Sequence, residues 1–444
     1  MIAIILAAGQ GKRMKSDLPK VLHKVCGKPI LNYIIDACKN AGIEKIIVVV
    51  GHKADVIKEN ISGVEFIVQN EQLGTGHAVM CAKDFIDDEN VLILNGDIPL
   101  ITSDTLKKLS HMHKQNSVTL VSTVVENPSG YGRIVRRDEK FLRIVEDKDA
   151  DKNELLINEI NTGVYLFNPK MLKTALQLLS NNNVQNEYYL TDTIEIIKSM
   201  DDNAGIFCAD NYHEFLGVND RVQLAQVSSL MQKRINEKHM RNGVTIINPK
   251  SVYIDDSVEI GQDTIIYPNV FLESNTKIGR RCIIGAGSNI VSSEIFDEVN
   301  VQSSVILNSI VKSKTKIGPF AYIRPNCIID ENVKVGDFVE VKNSNIGSGT
   351  KISHLTYVGD SDVGQNINFG CGTVTVNYDG NKKFRTKIDD NSFIGCNTNL
   401  IAPVSVGKNS YIAAGSTITE DVPEKSLAIA RQRQINKLDW KKKN

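Results

Sequence analysis

From Ile254 onward, aliphatic residues return at every sixth position: Ile254, Ile260, Ile266, Leu272, Ile278, Ile284 and Ile290. The same spacing reappears at Ile317, Ile323, Ile329, Val335 and Val341, and again at Ile394, Leu400, Val406, Ile412 and Ile418. A period of six admits few folds. One short strand and one turn per six residues, three strands to a coil, stacks into a left-handed parallel β-helix whose aliphatic side chains fill the axis. The span 254–418 then corresponds to about nine coils of ~18 residues. The phase is interrupted at 343–348 and at 375–386. Extra residues there predict loops that leave the prism, and loops on a rigid solenoid are where chemistry is expected.

The first half obeys a different pattern. Short apolar runs at 2–7, 45–50 and 91–94 alternate with amphipathic stretches at 30–39 and 103–113. This βα alternation predicts an α/β, Rossmann-like domain with a mostly parallel, helix-flanked sheet. The stretch 221–241 has few turn residues and helical spacing at Val222, Ala225, Leu230 and Ile235, so it reads as a linker helix. The expected domains are 1–220, the linker 221–241, and 242–444.

Lys plus Arg and Asp plus Glu are both 52. A balanced chain has no global field to draw nucleic acid or an anionic membrane, so any anion site must be local. The eight cysteines are scattered and contain no C-x-x-C pair. They read as reduced, mostly buried thiols. The N-terminal apolar run is too short to span a bilayer, which predicts a cytoplasmic protein without a membrane span.

One segment is a candidate for such a local anion site. LAAGQGKRMKSDLPK follows the first strand, and Gly9 and Gly11 allow backbone N–H groups to approach a phosphate. Lys12, Arg13, Lys15, Lys20, Lys24 and Lys28 face a single acid, Asp17, in that region. Met14 replaces the third glycine of a dinucleotide fingerprint, and no Walker A motif is present. A glycine turn with a solvated basic face is the structural alternative.

The segment L-x-x-G-x-G-x-R-M with S-D-L-P-K resembles the signature of sugar-1-phosphate nucleotidyltransferases. QNEQLGTGHA, NGDIPL, GYGRIV, IVEDKDA, EINTGVY and FLGVND follow in the order that family uses. With the repeat-containing tail, the whole chain resembles the family of bifunctional N-acetylglucosamine-1-phosphate uridylyltransferases and glucosamine-1-phosphate acetyltransferases. The resemblance implies UTP as substrate and Mg²⁺ as cofactor. Arg13 and Lys20 would neutralise phosphate charge, and Asp97 and Asn219 would hold the metal. Leu6, Ala7, Ala8, Gly9, Gln69, Gly74, Thr75, Asn95 and Gly96 would contact uridine and phosphate, with Gly132, Glu146 and Asn161 on the sugar. Asn95 departs from relatives that carry an aromatic residue there. Taken singly, Asp97 or Asn219 could be a helix or turn cap.

For the second half, the resemblance implies an acetyl-CoA-dependent acetyltransferase built as a homotrimer. His354, in KISHLTYVGD, is the implied general base, since a group titrating near neutrality can accept a proton from an amine. Arg324, Lys342, Tyr357 and Asn368 would bind glucosamine 1-phosphate. Asn377, Tyr378, Cys371, Cys396, Ala414 and Arg431 would bind acetyl-CoA. Cys371 and Cys396 replace the alanine and serine expected in relatives, and as small neutral residues they need no redox role. The basic tail, with Arg433, Lys437 and 441–443, is a candidate cover for the CoA phosphates, although a frayed terminus explains its last residues equally well. The rival reading is a nucleotidyltransferase whose β-helix only regulates or assembles; it has no need of the H-L-T-Y and N-Y-D-G segments.

Overall fold

The computed structural model describes residues 1–137, 140–183, 185–200, 203–438 and 440. They form two compact units, Met1–Met231 and Gln232–Asn444, and the division falls within the helix Arg221–Arg241. The basic residues 441–443 of the tail lie outside the described residues.

In the first unit the sheet order is Ala204–Ala209, Val118–Val124, Glu159–Phe167, Val91–Asn95, Ile2–Ala7, Lys45–Val50, Glu65–Val68. Alternate residues of the Ile2–Ala7 strand feed opposite layers. Ala3, Ile5 and Ala7 pack with Leu31, Ile34 and Leu106, while Ile2 and Ile4 pack with Ala78, Leu172 and Ile194. A strand buried on both faces must be apolar throughout, which is why this one reads as an unbroken run. The sheet is mostly parallel, as expected, with one antiparallel strand within its main path. Glu159–Phe167 runs antiparallel between Val118–Val124 and Val91–Asn95, and the hairpin Arg133–Arg137/Lys140–Val145 attaches to it.

The linker helix occupies Arg221–Arg241 as the spacing predicts, capped by Asp220 Oδ1 accepting from Gln223 N at 2.8 Å. Its buried stripe is Val227, Met231, Ile235 and His239, whereas Val222 is 67% exposed. The i, i+4 spacing was legible, but its origin lies five residues later than Val222.

The second unit is a β-helix. Three parallel sheets of 11, 10 and 9 short strands form its faces among the described residues. The stack begins at Thr245–Ile246 and ends at Leu427–Ala428, so it is slightly taller than the span 254–418 implies. The sixth-position aliphatics, among them Ile254, Leu272, Ile290, Val341 and Ile418, are buried on the axis, apart from the half-buried Ile260. Each contributes roughly 1.5–3 kcal/mol by leaving water.

One expected loop is absent. At 343–348 the chain is shortened, not lengthened: Val341 and Ile346 are consecutive axial residues five positions apart. The corner is closed by Asn343 in the left-handed region, φ 45°, a conformation asparagine tolerates better than most residues. The second interruption does leave the prism. Residues 377–385 protrude between Val374–Val376 and Thr386–Ile388, pinned by the antiparallel bridge Tyr378↔Lys383.

Candidate functional site

The strands Ile2–Ala7 and Val91–Asn95 are parallel neighbours, and their C-terminal ends open into one cleft. This is where a parallel sheet commonly receives a nucleotide. One lobe, about 590 Å³, is lined by Leu6, Ala7, Ala8, Gly9, Lys20, Gln69, Gly74, Thr75, Asn95, Gly96 and Asp97. The second, about 550 Å³, shares Leu6, Thr75, Asn95 and Asp97 and adds Arg13, Gly132, Glu146, Asn161 and Asn219. Every residue expected in the first site therefore lines one cleft.

Gly11 has φ 61°, and a Cβ there would fall 2.9 Å from Lys20 Cβ. Glycine lets the loop close on Lys20. Lys20 Nζ donates to Asp97 Oδ2 at 2.6 Å and to Asn219 Oδ1 at 3.0 Å. Of the six basic residues, Lys12, Arg13 and Lys20 line the cleft. Lys28 instead pairs with Asp36, which takes it out of the phosphate patch.

Two polar residues missed in the sequence brace this cleft. Gln72 Nε2 donates to Ala8 O at 3.0 Å, fixing the glycine loop from across the sheet end. Gln223 Oε1 accepts from Asn219 N at 2.7 Å, setting the orientation of Asn219. Gln72 lies inside QNEQLGTGHA but was given no role there, and Gln223 stands in no motif; only the fold brings them to their partners. Gln69 is buried and donates to Gly74 O at 3.2 Å. Burial raises the Glu146 carboxyl above its ordinary value, while a hydrogen bond from Thr191 opposes the shift.

On the β-helix, Asp337 stands opposite His354 in parallel register, with Oδ1 2.6 Å from Nδ1. His354 ends the strand Lys351–His354; it follows the shortened corner, not a loop. Cys371, Cys396 and Ala414 succeed it down the same edge, joined by the ladder Gly372 N to Leu355 O, Asn397 N to Cys371 O and Gly415 N to Cys396 O. The thiols are free; Cys371 is partly buried and Cys396 exposed. Only Cys38, Cys282 and Cys327 of the eight are fully buried, fewer than expected. Arg431 is exposed, near Gly415.

Arg324, Lys342 and Tyr357 lie on the second face, and Asn368 on the first. Arg324 pairs with Glu340 at 2.8 Å. Asn377, at the base of the protruding loop, donates to Tyr357 OH at 3.3 Å and to Asp360; Tyr378 is exposed beside it. Lys383, also missed in the sequence, crowds Lys342 and holds its ammonium below the ordinary lysine value, with burial adding to the effect and Asp360 opposing it. Lys342 and Lys383 thus bring two cationic groups together, with Arg324 nearby.

Among the described residues no cluster of three or more His, Cys, Asp or Glu side chains could hold a metal. Asp97 and Asn219 offer one carboxylate and one amide oxygen, the sparse, hard donor set that suits an Mg²⁺ ion whose remaining ligands are water and phosphate.

A nucleotidyl transferase family model matches residues 2–221, and a bacterial transferase hexapeptide model matches 308–343 and 385–420. A GMPPB C-terminal domain model matches 248–323. The chain is 54% identical to the bifunctional protein GlmU of Clostridium beijerinckii, covering 99% of this chain and 97% of that one. It is 56% identical to the protein of that name from Thermoanaerobacter pseudethanolicus, with 99% and 97% covered. The corresponding protein of Clostridioides difficile is 53% identical, with 100% and 98% covered. With identity this high along nearly the full length of both chains, the protein belongs to the bifunctional GlmU family.

Proposed function

We propose that the chain catalyses two consecutive transfers. The β-helix moves an acetyl group from acetyl-CoA to the amine of glucosamine 1-phosphate. The N-terminal unit then moves UMP from UTP to N-acetylglucosamine 1-phosphate, releasing pyrophosphate and UDP-N-acetylglucosamine. The observation that carries this reading is the convergence of Arg13, Lys20, Asp97 and Asn219 on one cleft, in a chain of a bifunctional family that also carries His354 on its prism.

In the first unit, transfer of a phosphoryl group needs alignment and charge neutralisation more than covalent chemistry. The glycine loop, held by Gln72, presents backbone N–H groups to the triphosphate. Arg13 and Lys20 offset the charge that builds on the α-phosphate and on the departing pyrophosphate. Gln69, Gly74 and Thr75 form the uridine end, and Gly132, Glu146 and Asn161 the sugar end. Asp97 and Asn219 would hold Mg²⁺, which when bound neutralises and orients the phosphates.

In the second unit, His354 takes a proton from the sugar amine as the amine attacks the thioester carbonyl. Lys342, Lys383 and Arg324 hold the 1-phosphate, with Tyr357 and Asn368 on the sugar. Asn377, Tyr378, Cys371, Cys396, Ala414 and Arg431 contribute to the acetyl-CoA site. A homotrimer would complete it. Phe320, Phe338 and Leu355 are 58%, 60% and 58% exposed at left-handed φ values of 57°, 53° and 41°, and the Phe320 and Phe338 rings stack at 5.5 Å. Bulky apolar residues in a disfavoured conformation, next to the base, support coverage by a neighbouring copy.

No helix among the described residues is long and apolar enough to cross a membrane. The free cysteines and the co-substrates UTP and acetyl-CoA support a cytoplasmic setting.

The half-reactions separate the assignments: CoA thiol release that depends on glucosamine 1-phosphate tests the β-helix, and pyrophosphate release that depends on N-acetylglucosamine 1-phosphate tests the cleft. Absence of either release removes that half of the proposal.

A further inference from the structure

The two longest strands of the β-helix among the described residues are neighbours. Lys334–Asp337 and Lys351–His354 have four residues each, where the other strands have two or three. The extension brings Asp337 and His354 into register and places Oδ1 2.6 Å from Nδ1. Gly336 makes this close approach feasible, since a Cβ there would fall 1.9 Å from Ser353 O. Immediately afterwards Phe338 and Leu355 turn the chain with positive φ, so the pair sits at the point where both strands stop.

We infer that Asp337 is a positioning residue for acetyl transfer, fixing the ring and the tautomer of His354 so that Nε2 is the free base. This rests on the reading of His354 as the general base. An ionised carboxylate only accepts hydrogen bonds, so the proton of the Asp337–His354 contact belongs to Nδ1, and in the neutral imidazole Nε2 then carries the lone pair. The bond to His354 is the main reason the Asp337 carboxyl lies below its usual range, which keeps it an acceptor at neutral pH. The side chains of His354 and Asp337 are 56% and 37% exposed. A hydrogen bond that open adds little stability, so its consequence is orientation. In the reaction the amine nitrogen bonds to the acetyl carbon, its proton passes to Nε2, the C–S bond breaks, and the thiolate of CoA leaves and recovers the proton. Atoms and charge balance with CoA thiol and the N-acetyl sugar as products.

The test compares Asp337→Ala and Asp337→Asn in the full-length protein. For Asp337→Ala the expected result is a fall in acetyl-transfer kcat of about tenfold or more. The KM values for glucosamine 1-phosphate and acetyl-CoA should stay within about twofold, with uridylyl transfer unchanged. Asp337→Asn keeps an oxygen that can accept from Nδ1–H, and should recover part of the lost kcat. An unchanged kcat in Asp337→Ala, or a loss confined to KM, overturns the inference. Should Asp337→Ala fail to fold, Asp337→Asn decides alone: a reduced kcat at parental KM supports the role, and parental kcat overturns it. If the parent forms no N-acetyl product, or His354→Ala leaves its formation intact, the reading of His354 has failed instead.

Discussion

The Lys20 ammonium bridges Asp97 and Asn219, 2.6 Å from Asp97 Oδ2 and 3.0 Å from Asn219 Oδ1. The two oxygens assigned to Mg²⁺ are therefore neutralised by the protein's own cation. A divalent ion and an ammonium cannot share that position, so Mg²⁺ would be held there only together with phosphates that give Lys20 another partner. Nucleotide-free protein should bind Mn²⁺ weakly in titration calorimetry. Lys20→Met should bind it several-fold more tightly while losing about 100-fold or more in uridylyl transfer. Equal Mn²⁺ affinity in the two proteins would contradict this.

The proposed assignment puts the two chemistries in separate units. His354→Ala should lower acetyl transfer by at least about 100-fold, the usual contribution of a general base, and leave uridylyl transfer intact. Asp97→Ala should do the reverse. Measuring both half-reactions on each folded variant checks the independence; loss of both activities from either change would refute it.

Burial, with Glu195 and Asp149 as lesser causes, raises the Asp192 carboxyl to about 6. Its place in the first turn of Asp192–Ser199 favours the anion, but burial outweighs that benefit. The unfolded value is about 3.9. Because the folded value is the higher one, the contribution is fully present below about pH 4 and is lost as pH rises through about 6. Asp192→Asn should match the parent in urea unfolding near pH 4 and exceed it at pH 8. The same difference at both pH values would count against this account.

The exposed ladder Phe320, Phe338 and Leu355 should be covered in the assembly. Phe338→Asp should shift the protein from trimer toward monomer in sedimentation velocity and reduce acetyl transfer, with pyrophosphate release unaffected. A parental sedimentation coefficient would place the interface elsewhere.

Much of this was legible because it is periodic or contiguous. The sixth-residue aliphatics gave the prism, since only one side of each short strand faces the axis. The glycine loop, Asp97 and His354 sit in compact motifs. What was not legible depends on register. The shortened corner at 343–348 looked like an interruption of either sign, and only the pairing of Asn345–Ile346 with Ile328–Ile329 shows that residues were removed. Asp337 is seventeen positions from His354, one coil less a residue, and nothing local marks it as a partner. Gln72, Gln223 and Lys383 likewise acquire their roles from elements that fold against them. The antiparallel strand Glu159–Phe167 ends in an apolar run, 164–167, like those of the parallel strands, so composition could not set its direction.

The most direct test of the two-step assignment is mass-spectrometric product analysis of the pure protein given glucosamine 1-phosphate, acetyl-CoA, UTP and Mg²⁺, with each omitted in turn. UDP-N-acetylglucosamine is expected only when all four are present, with N-acetylglucosamine 1-phosphate accumulating when UTP alone is withheld. Conversion solely of supplied N-acetylglucosamine 1-phosphate, with no acetylation at any acetyl-CoA concentration, would contradict it and leave the β-helix as a scaffold.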